Sequence, residues 1–282
     1  MNFQFSEQHI EQFQTQGYTI FRSILPASLI DDLRPVCARG REATRASGEQ
    51  QRFVLRALDE SDQKAFENYR VLPELCDAVA RVLGPDIRHG DFDYTSVLIE
   101  PGELPYCTAW HRDWRDNMPG LDIEEWCGLQ TDREMFNQVN CALYEDSCTW
   151  IVPGSHDRAD LEAEARRFPD RPIEAPELED KTYAERERLG LEYCQSMPGA
   201  MQVFLNAGDY MLYRNVLWHM GNYLPYKKRA TIHEGLMTPR FKTYWQETIK
   251  KTAERNKNSP DGAVWENPNF PERNAARDFV TV

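Results

Sequence analysis

Between residues 91 and 240 the sequence consists of short apolar runs that are separated by Pro, Gly and Asp residues. Short runs interrupted by turn-forming residues are typical of a β-sandwich or a β-barrel. We therefore expect a mainly β fold with flanking helices. The predicted strands cover residues 92–99, 139–143, 149–152, 201–205, 210–218 and 230–237.

The first ninety residues have a mostly helical pattern. Ser6 can cap a first helix and Ser28 a second. Residues 72–83 repeat apolar side chains at helical spacing and end at a Gly-Pro pair, while residues 244–255 give one more helix-like stretch. We expect a single domain over residues 1–282, divided into a helical part (1–90), the β core (91–240) and a C-terminal helix with its tail (241–282).

The composition excludes several classes of partner. The formal net charge is -13, so nucleic acid and anionic membrane surfaces would be repelled. The chain has no apolar run long enough to span a bilayer and no leader-like N-terminus. Its 7 cysteines include no C-x-x-C pair, which indicates reduced thiols. We expect a cytoplasmic protein that binds a small-molecule substrate, with its oligomeric state left open.

The residues with the clearest metal chemistry are His111 and Asp113, in the triplet His-Arg-Asp, and the distant His219. In an extended strand residues i and i+2 point the same way, so His111 and Asp113 can reach one metal ion while Arg112 points elsewhere. Two imidazoles and one carboxylate form a facial triad. Such a triad suits Fe(II), because three adjacent coordination positions stay open for a bidentate co-substrate and dioxygen.

A second His-x-Asp triplet, His89-Gly90-Asp91, shows that this pattern alone is a weak signal. His89 directly follows the end of a predicted helix and precedes the strands, so we interpret it as a polar turn residue. His111 stands among tryptophans, where a water-poor metal pocket is easier to build. We therefore favour His111 over His89 as the metal ligand.

Further residues occur in a fixed order around these ligands. They are Glu11-Gln12-Phe13, Gly17-Tyr18, the triplet at 111–113, Ile151-Val152-Pro153-Gly154-Ser155-His156, Gly208-Asp209, His219, Asn222 and Arg229. This ordered set, spread over residues 5–240, resembles the phytanoyl-CoA dioxygenase family of Fe(II)/2-oxoglutarate oxygenases. The resemblance implies a double-stranded β-helix (jelly-roll or cupin-like) core with N-terminal helices, and it implies that Fe(II) is held by His111, Asp113 and His219.

The resemblance also implies a site for 2-oxoglutarate, in which Arg229 binds the far carboxylate. A guanidinium suits this role because it is always charged and its planar fork matches a carboxylate. Thr231 shares the strand face of Arg229 and could donate its hydroxyl to the same carboxylate. Asn140, on the preceding predicted strand, could touch the co-substrate. His156, by contrast, belongs to a structural Pro-Gly-Ser-His turn.

The implied reaction consumes O2 and 2-oxoglutarate, hydroxylates a small metabolite or natural-product intermediate, and releases succinate and CO2. The carboxylate of Asp113 favours hydroxylation, because related halogenases have a small residue in its place. Residues 144–149 depart from the family, which often has an acidic residue and an Asn-Gly pair there. We expect a differently shaped hairpin at this point.

The substrate itself is not defined by the sequence. Three tryptophans flank the ligands and could wall an apolar pocket, although ordinary core packing explains them equally well. Nearby arginines could receive an anionic group, although surface arginines need no substrate. These residues are Trp110, Trp114 and Trp218, and Arg112, Arg115 and Arg214.

Two other classes of function remain open on the residues alone. The triad His111, Asp113 and His219 could hold zinc with an activated water, as in a metal-dependent hydrolase. That interpretation leaves Arg229 without a role. A non-catalytic jelly-roll binding protein is the other alternative, and it would make an intact triad a coincidence.

Overall fold

The computed structural model describes residues 3–46, 52–55, 58–89, 95–116, 121–165 and 175–257. Its centre consists of two antiparallel β-sheets that face each other, with helices packed on both outer faces. This arrangement confirms the predicted mainly β fold with flanking helices. Across the described ranges, no helix is long and apolar enough to cross a membrane.

Both sheets are built from short strands. In chain order the described strands are β1 Tyr18–Phe21, β2 Arg52–Val54, β3 Arg88–His89, β4 Ser96–Ile99, β5 Tyr106–Cys107, β6 Asn137–Ala142, β7 Thr149–Ile151, β8 Met201–Gln202, β9 Tyr210–Arg214, β10 His219–Tyr223 and β11 Ala230–Met237. The larger sheet has the order β1-β9-β6-β11-β4-β2, with β3 also paired to β11. The smaller sheet has the order β5-β10-β7-β8.

The described helices begin and end where local chemistry favours it. Asp59 caps α3 by accepting the N–H of Asp62, and Thr182 with Glu185 forms a capping box on α7. The bounds are α1 Glu7–Gln16, α2 Ala27–Ala46, α3 Glu60–Arg70, α4 Pro73–Leu83, α5 Ile123–Leu129, α6 Glu162–Ala165, α7 Tyr183–Gln195 and α8 Pro239–Lys257.

The two faces of the larger sheet differ in character. Its outer face packs on the N-terminal helices through fully buried apolar side chains such as Val139, Leu212 and Ile232. Because strand side chains alternate, the residues between them point to the inner face, toward the smaller sheet. On β6 and β11 the inner residues include polar ones, because Asn140 lies directly opposite His233.

The smaller sheet repeats this division. Its outer face packs Trp150 and Met220 against the cluster that contains Cys194 of α7. Its inner face carries Ile151 and, directly opposite on β10, His219. The space between the sheets is therefore lined by polar and metal-ligating groups near an apolar base.

The predicted strand over 210–218 was wrong at its C-terminal end. β9 ends at Arg214, and a turn precedes β10, which begins at His219. The turn residues Val216 and Leu217 are apolar and fully buried, so their sequence has the pattern of a buried strand. Long-range bonds fix the turn, because Arg112 Nη1 donates to the Val216 carbonyl at 2.8 Å.

Several sequence predictions fall outside the described residues. They concern Asp91 of the second triplet, residues 92–94 of the first predicted strand and the tail beyond residue 257. Among the first ninety residues, helices α1–α4 are joined by the short strands β1, β2 and β3, which the sequence did not indicate.

Candidate metal centre

His111 and His219 lie side by side because their backbones pair. The N–H of His111 donates to the carbonyl of His219 at 3.1 Å, and the N–H of His219 donates to the carbonyl of His111 at 3.0 Å. This antiparallel bridge places the two imidazole centroids 4.2 Å apart. The sequence predicted that His111 lies in an extended strand. In the structure a single isolated backbone pair holds it instead.

Both imidazoles are fixed by bonds on their Nδ1 atoms. Nδ1 of His111 lies 2.8 Å from the Ala109 carbonyl, and Nδ1 of His219 lies 2.9 Å from the Leu217 carbonyl. A carbonyl only accepts, so each Nδ1 carries the proton and each Nε2 keeps its lone pair. Burial, reinforced by the neighbouring His111, lowers the pKa of His219 to about 4. The His219 ring is therefore neutral at pH 7 and ready to ligate a metal.

Asp113 completes the cluster. Its Oδ1 lies 3.6 Å from Nε2 of His111. Its Oδ2 accepts a hydrogen bond of 3.1 Å from Asn215 Nδ2, and its backbone N–H donates to the Asn215 carbonyl at 2.8 Å. Asn215 therefore fixes the carboxylate plane and leaves Oδ1 for a metal.

The geometry of the three side chains fits a metal ion. One ligand atom from each of His111, Asp113 and His219 lies within 4.8 Å of the others, and all three residues are buried. Two nitrogens and one oxygen on one side of an ion leave its opposite side open, as non-haem Fe(II) requires. The structure thus brings together the three residues that the sequence singled out.

The competing histidine, His89, has another role. It lies on β3, and its Nδ1 is 2.9 Å from Oε1 of Glu234 on the outer side of the larger sheet. Burial opposes a charged imidazole there, but the Glu234 carboxylate outweighs burial and raises the pKa of His89 to about 9. The interpretation of His89 as a turn residue was wrong, because it forms a buried ion pair.

Arg229 lies on the inner side of the larger sheet, just before β11, and is 5% exposed. Its Nε donates to Oδ2 of Asp146 at 2.8 Å, and the Thr231 hydroxyl donates to the same oxygen at 2.5 Å. The Nη1 atom of Arg229 is buried and has no hydrogen-bond partner among the described residues. A charged donor of this kind can bind an incoming carboxylate oxygen.

Polar and aromatic groups line the inner face between the metal ligands and Arg229. Asn140 donates to the Thr149 hydroxyl at 3.0 Å and contacts Nδ1 of His233 at 2.8 Å. The ring of Tyr223 lies 5.0 Å from the Arg229 guanidinium carbon and stacks on Tyr106 at 4.5 Å. Gly221 permits this arrangement, because a Cβ there would meet the Tyr223 ring at 2.4 Å.

The arginines considered for an anionic substrate group are already engaged. Arg112 and Arg115 both pair with Asp160, at 2.9 Å and 2.6 Å. Arg214 donates to the carbonyls of Gln130 and Asp132. Within the described residues these arginines stabilise loops around the site, and a role in receiving the substrate is not supported.

The tryptophans that flank the ligands fill other cores. Trp110 and Trp218 belong to the cluster under α7. Trp114 has a left-handed backbone, with φ of 71°, and packs against Phe241 and Tyr244 of α8. A non-glycine residue in this conformation must be held by its surroundings, so α8 supports the segment that carries Asp113.

His156 occupies the turn that the sequence predicted for it. It lies in a 3₁₀ turn, Ser155–Asp157, and its Nε2 donates to the Gln14 carbonyl at 3.1 Å. Gly17, the left-handed C-cap of α1, lies directly over the ring, since a Cβ at Gly17 would meet Nδ1 of His156 at 2.5 Å. His156 thus joins α1 to the smaller sheet, away from the metal ligands.

Sequence reasoning missed Asn215 and Asp146, which orient Asp113 and Arg229. Asn215 lies in the buried turn that the sequence predicted as strand, so no sequence pattern indicated that it lies near Asp113. Asp146 could have been singled out, because it falls in the segment 144–149 where the sequence departs from the expected family pattern.

A family model described as phytanoyl-CoA dioxygenase (PhyH) matches residues 13–222. The comparison with curated proteins gave no match. HygX from Streptomyces hygroscopicus, solved with nickel and 2-oxoglutarate bound, is similar with a TM-score of 0.56 at 14% identity, covering 83% of this chain and 88% of that chain.

Two further solved structures come from nogalamycin biosynthesis. The non-heme alpha ketoglutarate dependent carbocyclase SnoK has a TM-score of 0.53 at 18% identity, covering 83% of this chain and 84% of that chain. The epimerase SnoN has a TM-score of 0.52 at 15% identity, covering 82% of this chain and 80% of that chain. At these identities the likeness establishes the shared fold.

Proposed function

The chain belongs to the phytanoyl-CoA dioxygenase family, and from this premise we propose that it is an Fe(II)- and 2-oxoglutarate-dependent hydroxylase of a small metabolite or natural-product intermediate. Enzymes of this family use Fe(II), 2-oxoglutarate and O2. The observation that carries the proposal is the convergence of His111, Asp113 and His219, with both imidazole Nδ1 atoms bonded to carbonyls.

The three ligands have distinct tasks in this proposal. His111 and His219 would each supply an imidazole Nε2 atom, and Asp113 would supply the one negative charge. When bound, Fe(II) and 2-oxoglutarate together activate O2 for attack on a C–H bond, and 2-oxoglutarate leaves as succinate and CO2. Asn215 holds Asp113 in the orientation that ligation needs, through the hydrogen bond at 3.1 Å.

Arg229 is proposed to bind the far carboxylate of 2-oxoglutarate. It is buried on the inner side of the sheet that faces His219, and its unpartnered Nη1 can donate to that carboxylate. Asn140 and Thr231 lie on the same face and are proposed to border the co-substrate. A zinc hydrolase would leave the unpartnered Nη1 of this buried guanidinium unexplained.

Hydroxylation is the proposed outcome because Asp113 is present as a ligand, so no coordination position is freed for a halide. The structural relatives include a carbocyclase and an epimerase, so the product has to be identified directly. The proposed substrate class can be searched by measuring succinate release from a panel of small molecules. Mass gain of one oxygen in the product supports hydroxylation, and an unchanged or two-hydrogen-lighter product contradicts it.

The cofactor chemistry can be tested without a substrate. Anaerobic absorption spectroscopy, with Fe(II) and then 2-oxoglutarate added to metal-free protein, should show the weak visible charge-transfer band of their bidentate chelate. His219→Ala should lose the band, and His89→Ala should keep it. Arg229→Met should keep Fe(II) but need more 2-oxoglutarate to develop the band. Absence of the band from folded wild-type protein would contradict the proposal and favour a zinc enzyme or a binding protein.

A further inference from the structure

Asp146 already occupies the position expected for a bound carboxylate. The two residues assigned to the far carboxylate of 2-oxoglutarate, Arg229 and Thr231, both donate to a single oxygen of Asp146, Oδ2, at 2.8 Å and 2.5 Å. Its other oxygen, Oδ1, accepts the backbone N–H of Cys148 at 2.8 Å. The side chain of Asp146 therefore already accepts from Nε of Arg229 and from the Thr231 hydroxyl, two of the donors that the co-substrate would use, while Nη1 of Arg229 has no partner among the described residues.

We propose that Asp146 is a built-in counter-anion that competes with the far carboxylate of the co-substrate for Arg229. The inference rests on the proposed function and adds a property of this chain. Co-substrate affinity is set by the 2-oxo acid end that chelates the metal, and the second carboxylate contributes little. Asp146 thereby makes the protein tolerant of 2-oxo acids that lack this second carboxylate.

The protein holds Asp146 firmly in this position. Its backbone forms a two-bond pair with Leu205, at 2.8 Å in each direction, and its side chain is 4% exposed. Burial favours the neutral acid, but Arg229 and the Thr231 hydroxyl outweigh burial and lower the pKa of Asp146. Asp146 is therefore a permanent anion at neutral pH.

Two buried acids contact Arg229 directly. Arg229 also donates its backbone N–H to Glu100 Oε2 at 2.8 Å, so a second buried acid adjoins it. Glu100 is itself paired with Arg41 and Arg45, each at 2.9 Å. Arg229 and Asp146 thus form a neutral pair, and an added anion gains attraction from Arg229 while being repelled by Asp146.

The test compares two ligands that differ only in the far carboxylate. 2-Oxoglutarate and 2-oxopentanoate have the same chain length and the same chelating end. Their dissociation constants are measured anaerobically with Fe(II), from the charge-transfer band, in wild-type protein and in Asp146→Asn. Glu145→Gln is the matched control, because Glu145 borders the same small cavity as Asp146 but is exposed and makes none of its bonds.

An unopposed buried arginine–carboxylate pair would favour 2-oxoglutarate by a factor on the order of 100 to 1,000. We expect wild-type protein to favour it by less than about 10-fold. Asp146→Asn should tighten 2-oxoglutarate binding by about 10-fold or more and leave 2-oxopentanoate unchanged. Glu145→Gln should change neither constant by more than about 2-fold.

Each other result overturns the inference. Wild-type preference for 2-oxoglutarate of about 100-fold or more would show that Asp146 does not compete, and this measurement needs no variant. Weaker 2-oxoglutarate binding in folded Asp146→Asn would make Asp146 a support for Arg229. If neither ligand gives a band with wild-type protein, the proposed function fails, and that failure differs from equal binding of both ligands.

Discussion

The outer and inner faces of the larger sheet use the same strands for different purposes. On β11, Ile232 points outward into the apolar core under the helices, while its neighbours Thr231 and His233 point inward to polar partners. On β6, Val139 and Asn140 divide in the same way. Stability and chemistry are therefore separated by a single residue step, because a strand alternates its side chains.

The apolar outer face also contains one charged cluster among the described residues. Glu234 is fully buried there, and its Oε1 accepts from the Tyr69 hydroxyl at 2.7 Å and contacts His89 at 2.9 Å. This cluster joins α3, β3 and β11. Its partners are all within the protein, whereas Arg229 keeps an unpartnered Nη1. A buried charge on the outer face is therefore structural.

The two histidines of the His-x-Asp triplets give the largest contrast between the faces. His111→Ala on the inner side should abolish saturable Fe(II) binding, because one of three ligands is lost. His89→Ala should retain it but lower the free energy of unfolding by about 3–5 kcal/mol, since Glu234 is left buried without its cation. Anaerobic metal titration and denaturant unfolding measure the two effects. Loss of Fe(II) binding in folded His89→Ala would reverse the choice of triplet.

Ile232→Ala tests the outer face alone. Removing a fully buried side chain should lower the free energy of unfolding by about 2–5 kcal/mol, and the matched Ile232→Val by about 0.5–1.5 kcal/mol. The Fe(II) dissociation constant should stay the same in both variants. A proportional loss of Fe(II) affinity would show that the faces are coupled.

Asn215→Ala tests how much the inner site depends on the residue behind a ligand. The loss of its hydrogen bond to Asp113 should weaken Fe(II) binding by about 10- to 100-fold. Asn137→Ala is the control, because that buried amide donates to the Arg133 carbonyl and not to a ligand. Equal Fe(II) affinities in the two variants would contradict the orienting role of Asn215.

The pH dependence of unfolding should give the smallest effect. The pKa of His89 is raised to about 9, so its ion pair contributes fully below pH 6.5 and is lost as pH rises through about 9. The pKa of Glu234 is lowered by His89 and Tyr69 against burial, so its contribution is lost only in acid. Unfolding free energies between pH 6 and 10 should fall less steeply in His89→Gln than in wild-type protein.

Local signals predicted much of the fold. Helix α4 ends at Leu83, before the Gly-Pro pair, and β11 covers the predicted residues 230–237, because capping and side-chain periodicity are properties of neighbouring residues. The turn between β9 and β10 was missed, since its burial depends on Arg112 and Ser155 far along the chain.

The sequence predicted the candidate site to about the same extent as it predicted the fold. The spacing in His-x-Asp and the type of the ligands identified the cluster that the structure brings together, and the assignment of its metal remains a prediction. The pairing of Asp146 with Arg229 was beyond sequence reasoning, because it joins residues 83 positions apart. Only the unusual sequence of the hairpin hinted that this end of the site differs.

The backbone bridge between His111 and His219 also makes the site observable by deuterium exchange. Each amide proton is bonded to the carbonyl of the other ligand, so both exchange only when the bridge opens. Opening separates the imidazoles, and a metal bound to both opposes it. Metal loading should therefore slow the exchange of both amides by the same factor. That factor equals the decrease in the population of the open state when the metal binds. Two adjacent protons in the backbone thus record the occupancy of the centre.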